Sequence, residues 1–151
     1  MKIAENTKDG SQLLSERLAA SGLRPTRQRE HVYRILLQRR GHPAAGEVFL
    51  RAKRDLPGIS MATVYNCLDA LVKCGLVRLV VLDRGATRYC PNMEDHCHYF
   101  CAECGAVFDM PLPANASLSA LRPKGFKIDH YELAVHGVCA DCADCAGKRK
   151  K

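Results

Sequence analysis

Two C-x-x-C pairs, Cys101-Ala102-Glu103-Cys104 and Cys139-Ala140-Asp141-Cys142, constrain this chain more than any other feature. Pairs spaced in this way supply four thiolates to one tetrahedral metal, and zinc accepts that set because it has no geometric preference of its own. The segments carrying the pairs are then clamped together, whatever lies between them. Cys145, three residues past Cys142, could substitute as a ligand but reads as a spare thiol.

The alternative use of nine cysteines, a disulfide framework, needs an oxidising compartment. Residues Met1-Lys2-Ile3-Ala4-Glu5-Asn6 offer no apolar signal-peptide core. No run of about 18 apolar residues is present to span a membrane. The expected location is therefore cytoplasmic, with the thiols reduced and no membrane partner. A small domain buries too little surface for comfort, so a structural metal has a physical purpose.

Around the first pair the chain collects other ligand types: Cys90, then His96-Cys97-His98, then Asp109. Two histidines in alternation on a strand share a face. Thiol, imidazole and carboxylate beside a metal knuckle predict a second metal on Cys90, His96, His98 and Asp109, with His42 able to join from the first half. Cys67 and Cys74 fall on a predicted helix and read as small apolar fillers.

The formal net charge of +7 lies in the first half of the chain. Up to Leu82 there are fourteen Lys/Arg against seven Asp/Glu, whereas nine of each follow. A solvated basic surface is the plain explanation and a polyanion partner the sharper one. The element pattern favours the second. Helical spacing starts at Ser11 and stops at Gly22, a second helix is capped by Thr26, and a third covers residues 45–53. A fourth is capped by Ser60 and ended by Gly75. Strands are predicted over residues 76–82 and 86–90, joined by a turn at Asp83-Arg84-Gly85. Helices followed by a two-stranded ribbon on a basic segment describe a winged helix-turn-helix.

On the fourth helix the outer face carries Tyr65 and Asn66, which suit a thymine methyl and a base edge. Ser60 and Thr63 suit a phosphate at the helix N-terminus, and Arg24, Arg27 and Arg29 suit the DNA backbone or minor groove. The second half predicts strands over residues 98–100 and 106–110, a short helix over 116–121, and a longer strand over 125–138. The Lys148-Arg149-Lys150-Lys151 end reads as a disordered tail. The fold class is α+β: a winged-helix domain over residues 1–84, a hinge at 85–92, and a small α/β domain with a four-cysteine zinc site over 93–151.

With these residues in view the chain resembles the ferric uptake regulator (Fur) family. The motifs are Leu23-Arg24-Pro25-Thr26-Arg27-Gln28-Arg29, His42-Pro43, Ser60-Met61-Ala62-Thr63-Val64-Tyr65-Asn66, His96-Cys97-His98, Cys101-Ala102-Glu103-Cys104-Gly105 and Gly137-Val138-Cys139-Ala140-Asp141-Cys142. They span nearly the whole chain in the family's order. The resemblance implies a homodimeric repressor whose C-terminal domain dimerises and whose metal loading closes the dimer onto palindromic, A/T-rich double-stranded operator DNA. It implies structural zinc on Cys101, Cys104, Cys139 and Cys142, and a regulatory divalent metal on His42, Cys90, His96, His98 and Asp109. Iron- and peroxide-sensing members usually carry Asp or Glu where this chain has Cys90. That departure is similar to zinc-uptake regulators (Zur), and thiolate favours zinc over Fe(II) or Mn(II). The remaining ligands also resemble those of the peroxide regulator (PerR).

Two other classes compete. His130-Tyr131-Glu132 before Cys139-x-x-Cys142 resembles part of a zinc deaminase signature, but the spacing is short, no proline precedes Cys139, and the basic half is left without a purpose. No catalytic activity is expected. A zinc-ribbon interaction module without DNA binding is the other class, and a thiol switch between Cys90 and Cys97 is a variant of the main reading.

Overall fold

The computed structural model describes residues 7–38, 41–81, 85–112, 122–128 and 131–148, without the side chains of 7–10 and 146–148. The expected helix over 116–121, the turn residues Asp83 and Arg84, His130 and the tail over 149–151 lie outside the described residues. The chain divides into two compact units, Met1–Met93 and Glu94–Lys151.

The first unit begins with α1 (Thr7–Ala20), which buries Leu14 and Leu18. Gly22 at φ 70° ends it, in the left-handed conformation that glycine adopts without strain. In α2 (Arg27–Leu37) the Thr26 side chain accepts the Arg29 N–H, and Val32, Tyr33, Ile35 and Leu36 form the buried face. The third helix, α3 (Ala45–Asp55), starts without a side-chain acceptor at Ala44, while the Glu47 carboxylate accepts the Ala44 N–H at 2.8 Å. In α4 (Met61–Lys73) Ser60 caps the start, Val64, Cys67, Leu68 and Leu71 are buried, and Gly75 at φ 67° follows the end. The spacing of these apolar residues at three and four positions is what turns one face inward. Cys67 and Cys74 belong to the same core, as fillers.

Strands β1 (Arg78–Val80) and β2 (Arg88–Cys90) pair antiparallel, with Leu79 opposite Tyr89. The first expected strand is longer than the observed one. Leu76 and Val77 instead enter the helical core before pairing begins, and Val81 is exposed. The outer edge of β2 bridges to Ala44, and Tyr89 N–H donates to the Pro43 carbonyl at 3.1 Å. Residues 88–90, placed in a hinge by the sequence division, thus form a strand of the first unit.

The second unit is a three-stranded sheet in the order β4-β3-β5. Central β3 (His96–Cys101) pairs antiparallel with β4 (Val107–Pro111) and parallel with β5 (Ala134–Gly137). The strand expected over 125–138 is confined to its last part. Gly125 at φ 85° and the Phe126 N–H to Pro123 carbonyl bond form a turn, and residues 126–128 have no ladder partner among the described residues. The alternation of Phe126 and Ile128 with polar residues therefore carried no strand, and Phe126 is exposed.

After β5 comes α5 (Ala140–Lys148), a helix where the cysteine spacing and basic residues predict only a knuckle and a tail. Its signal was present in Ala140, Ala143 and Ala146, strong helix formers, with Asp141 in the first turn where a negative charge meets the positive end of the helix. No helix among the described residues is long and apolar enough to cross a membrane.

Candidate metal centres and nucleic-acid face

The four-cysteine group is built at one end of the second unit's sheet. Cys101 ends β3, and the chain turns back through Gly105, at φ 68°, whose N–H donates to the Cys101 carbonyl at 3.0 Å. Ala102 N–H donates to the Gly137 carbonyl at 2.8 Å, which ties this knuckle to β5. Cys139 and Cys142 follow at the start of α5. Sulfur atoms of Cys101, Cys104, Cys139 and Cys142 all lie within 4.8 Å of one another, and those of Cys104 and Cys139 are 3.8 Å apart. Zn–S bonds of about 2.3 Å in a tetrahedron require an S···S edge of roughly 3.8 Å, so the group fits a structural zinc. Cys145, exposed on α5, lies outside the group. Glu132 is likewise absent from it, so Cys139 and Cys142 take Cys101 and Cys104 as companions rather than the deaminase-like glutamate.

The electrostatics of this group suit a cation. Backbone amides of Cys104 and Cys139 lower the Cys101 thiol to about 6, and Cys139 N–H lies 3.3 Å from that sulfur. The neighbouring thiols of Cys139 and then Cys104 push Cys142 up. One thiolate is thus preorganised while its neighbours resist a second negative charge, a resistance that a divalent metal removes.

A second group occupies one face of the same sheet. His98 and Asp109 are direct partners across the β3–β4 ladder, and His96 stands two residues along β3. His96 Nε2 is 2.9 Å from His98 Nε2 and 3.2 Å from Asp109 Oδ1, and His98 Nε2 is 3.6 Å from the same oxygen. His96 Nδ1 donates to the Glu94 carbonyl at 2.6 Å. With Nδ1 on the Glu94 carbonyl, Nε2 is the ring nitrogen directed toward His98 and Asp109, an arrangement in which an imidazole can serve as a metal ligand.

In the first unit, His42 and Cys90 are both buried. Pairing of β2 with residues 43 and 44 brings the imidazole and the thiol within 4.8 Å of each other, although they are remote in sequence. Arg88 and Glu47 bond around this segment, and no local sequence pattern marks either residue for that place.

On α4, Tyr65 and Asn66 are exposed, on the face opposite Val64 and Leu68. Ser60 Oγ accepts the Thr63 N–H at 3.1 Å and lies 2.8 Å from Thr63 Oγ1, so both hydroxyls serve the helix start. Arg24 and Arg27 are exposed before and at the opening of α2, while Arg29 donates to the Arg24 carbonyl.

A family model described as the ferric uptake regulator family matches residues 20–136. The chain belongs to the ferric uptake regulator family. It is accordingly a metal-responsive DNA-binding regulator of the Fur type. A curated relative, the peroxide-responsive repressor PerR of Staphylococcus aureus strain Mu50, is 31% identical over 129 residues, covering 84% of this chain and 87% of its own. The Helicobacter pylori ferric uptake regulator Fur has the same fold, with a TM-score of 0.78 at 22% identity over 95% of this chain and 97% of that one. A zinc uptake regulator complexed with zinc and DNA also shares the fold of this Fur-family chain. Its TM-score is 0.67 at 24% identity, covering 95% of this chain and 99% of that one.

Proposed function

We propose that this Fur-family regulator is a zinc-responsive repressor in which His42 and Cys90 of the first unit and His96, His98 and Asp109 of the second ligate one regulatory metal. The observation that carries the zinc reading is the buried Cys90 thiol beside His42. A thiolate among imidazoles favours zinc over the harder Fe(II) and Mn(II). Cys101, Cys104, Cys139 and Cys142 hold a permanent zinc that organises the second unit.

When bound, the regulatory metal supplies bonding free energy that favours the DNA-competent conformation over the others. The chain's own contribution is to present its ligands with their lone pairs directed, as the His96–Glu94 bond does. A coupling of about 1–3 kcal/mol corresponds to roughly 5–150-fold in operator affinity. The chain forms a homodimer in which the first unit, with β1 and β2 as its wing, binds DNA and the second unit dimerises. Tyr65 and Asn66 read base edges in A/T-rich palindromic DNA, with Arg24, Arg27, Ser60 and Thr63 toward the backbone. No catalytic step is assigned.

A peroxide- or iron-responsive reading is the second candidate, favoured by the likeness to a peroxide-responsive repressor. Titration of operator binding with Zn(II), Fe(II) and Mn(II), on protein whose four-cysteine zinc is filled, separates the two. Activation at the lowest free zinc supports the first. Preferential activation by Fe(II) that peroxide abolishes supports the second.

A further inference from the structure

Strand β2 sends alternate side chains to opposite faces. Tyr89 is buried in the helical core of the first unit, and Arg88 and Cys90 share the other face. The Arg88 guanidinium donates to the His42 carbonyl at 2.9 Å and lies 3.5 Å from Glu47 Oε2. That same carboxylate oxygen accepts the Ala44 N–H at 2.8 Å. With the Tyr89 N–H on the Pro43 carbonyl, three consecutive residues, 42, 43 and 44, are held from one strand. The start of α3 has no side-chain cap at Ala44, so this arrangement also fixes where α3 begins, and α3 packs against α2 and α4.

We propose that Arg88 is a positioning residue for metal sensing: through the His42 carbonyl and the Glu47 carboxylate it presets the His42 imidazole against the Cys90 thiol and couples that placement to the start of α3. The proposal rests on the reading that His42 and Cys90 ligate the regulatory metal. Both contacts are made by Nη1, whose two N–H groups point in directions fixed by the planar guanidinium, whereas a lysine ammonium rotates freely about its own bond. Groups that orient ligands in this way typically change metal affinity by about 10–100-fold.

The test uses the full chain with its four-cysteine zinc filled, and compares Arg88→Met, Arg88→Lys, Glu47→Gln, His42→Ala and the remote core variant Leu14→Ala. Zinc affinity is read by competition with a chromophoric chelator, and exchange of the Ala44 and Tyr89 amides is read on protein without regulatory metal. Arg88→Met is expected to lose about 10–100-fold in zinc affinity and to speed exchange at Ala44. Arg88→Lys is expected to recover part of both, and Leu14→Ala neither effect. A loss in His42→Ala with none in Arg88→Met overturns the proposal alone. Unchanged affinity in His42→Ala overturns the ligand reading and the proposal with it. Equal losses in Arg88→Met and Leu14→Ala reduce Arg88 to general stability and also overturn it. If Arg88→Met does not fold, Glu47→Gln decides: a several-fold loss supports the proposal and wild-type affinity overturns it.

Discussion

His96 and His98 face each other with their Nε2 atoms 2.9 Å apart, and His96 is locked from behind by the bond from its Nδ1 to the Glu94 carbonyl. Two ring nitrogens and the Asp109 carboxylate thereby converge on the sheet face. Their common direction follows from period-2 alternation on β3 and a direct cross-strand pairing of His98 with Asp109. His96→Ala should remove one zinc per chain in native mass spectrometry while the four-cysteine zinc stays bound. Retention of both zincs would show that His96 is no ligand.

Metal loading of the cysteine group should depend on pH with a definite sign. Cys101 is held at about 6 by the amides of Cys104 and Cys139, whereas Cys142 is pushed up by the thiols of Cys139 and then Cys104. Protons on the raised thiol must leave when the metal binds, so affinity rises with pH through neutrality. It falls more steeply once pH drops below about 6, where Cys101 also takes a proton. Chelator competition across pH 5 to 9 reads this. A flat profile would contradict the assigned ligands.

Cys101→Ser should cost the second unit its fold as well as its metal. Apparent zinc-binding free energies in small zinc domains reach about 10–16 kcal/mol, more than a small sheet supplies for itself. Loss of protected amides in β3 and β5, with α1 to α4 still protected, is the expected exchange pattern. Full protection in β3 without zinc would make the metal dispensable for folding.

Gly137 lies against the Tyr99 hydroxyl, and a Cβ built on it overlaps that oxygen. Tyr99 donates to the Val138 carbonyl at 3.2 Å, one residue before Cys139. Gly137→Ala should therefore displace the ring, break this bond and destabilise by about 1–3 kcal/mol. Denaturant unfolding of the zinc-loaded chain measures the loss. Tyr99→Phe in the same background should not add a further full increment, because the bond is already gone.

On the first unit, Ser60 should report on stability as well as DNA contact, and Tyr65 on DNA contact alone. Ser60→Ala removes the α4 cap and should lower stability by about 1 kcal/mol. Tyr65→Ala, on the exposed face of α4, should leave thermal unfolding within about 0.5 kcal/mol and weaken operator binding. Unchanged affinity in Tyr65→Ala would remove α4 from the proposed reading surface.

Helices α2 and α4 were legible in the sequence because their determinants are local. Thr26 and Ser60 cap, Gly75 stops, and apolar residues repeat at three and four. The C-x-x-C pairs were legible for a similar reason, since metal chemistry restricts both residue type and spacing. Strand extent was not, because pairing partners decide it: residues 126–128 alternate like a strand yet lack a ladder, and Leu76 and Val77 enter the helical core. Helix α5 was hidden behind the cysteines and basic residues that occupy it. Sequence alone determined which side chains are available as ligands and which helix face is polar. Tertiary structure decided which remote residues meet, because hydrogen bonds from β2 to residues 42–44 bring His42 beside Cys90, with Arg88 and Glu47 around them. Those bonds run between segments far apart in the chain, where no local pattern records them.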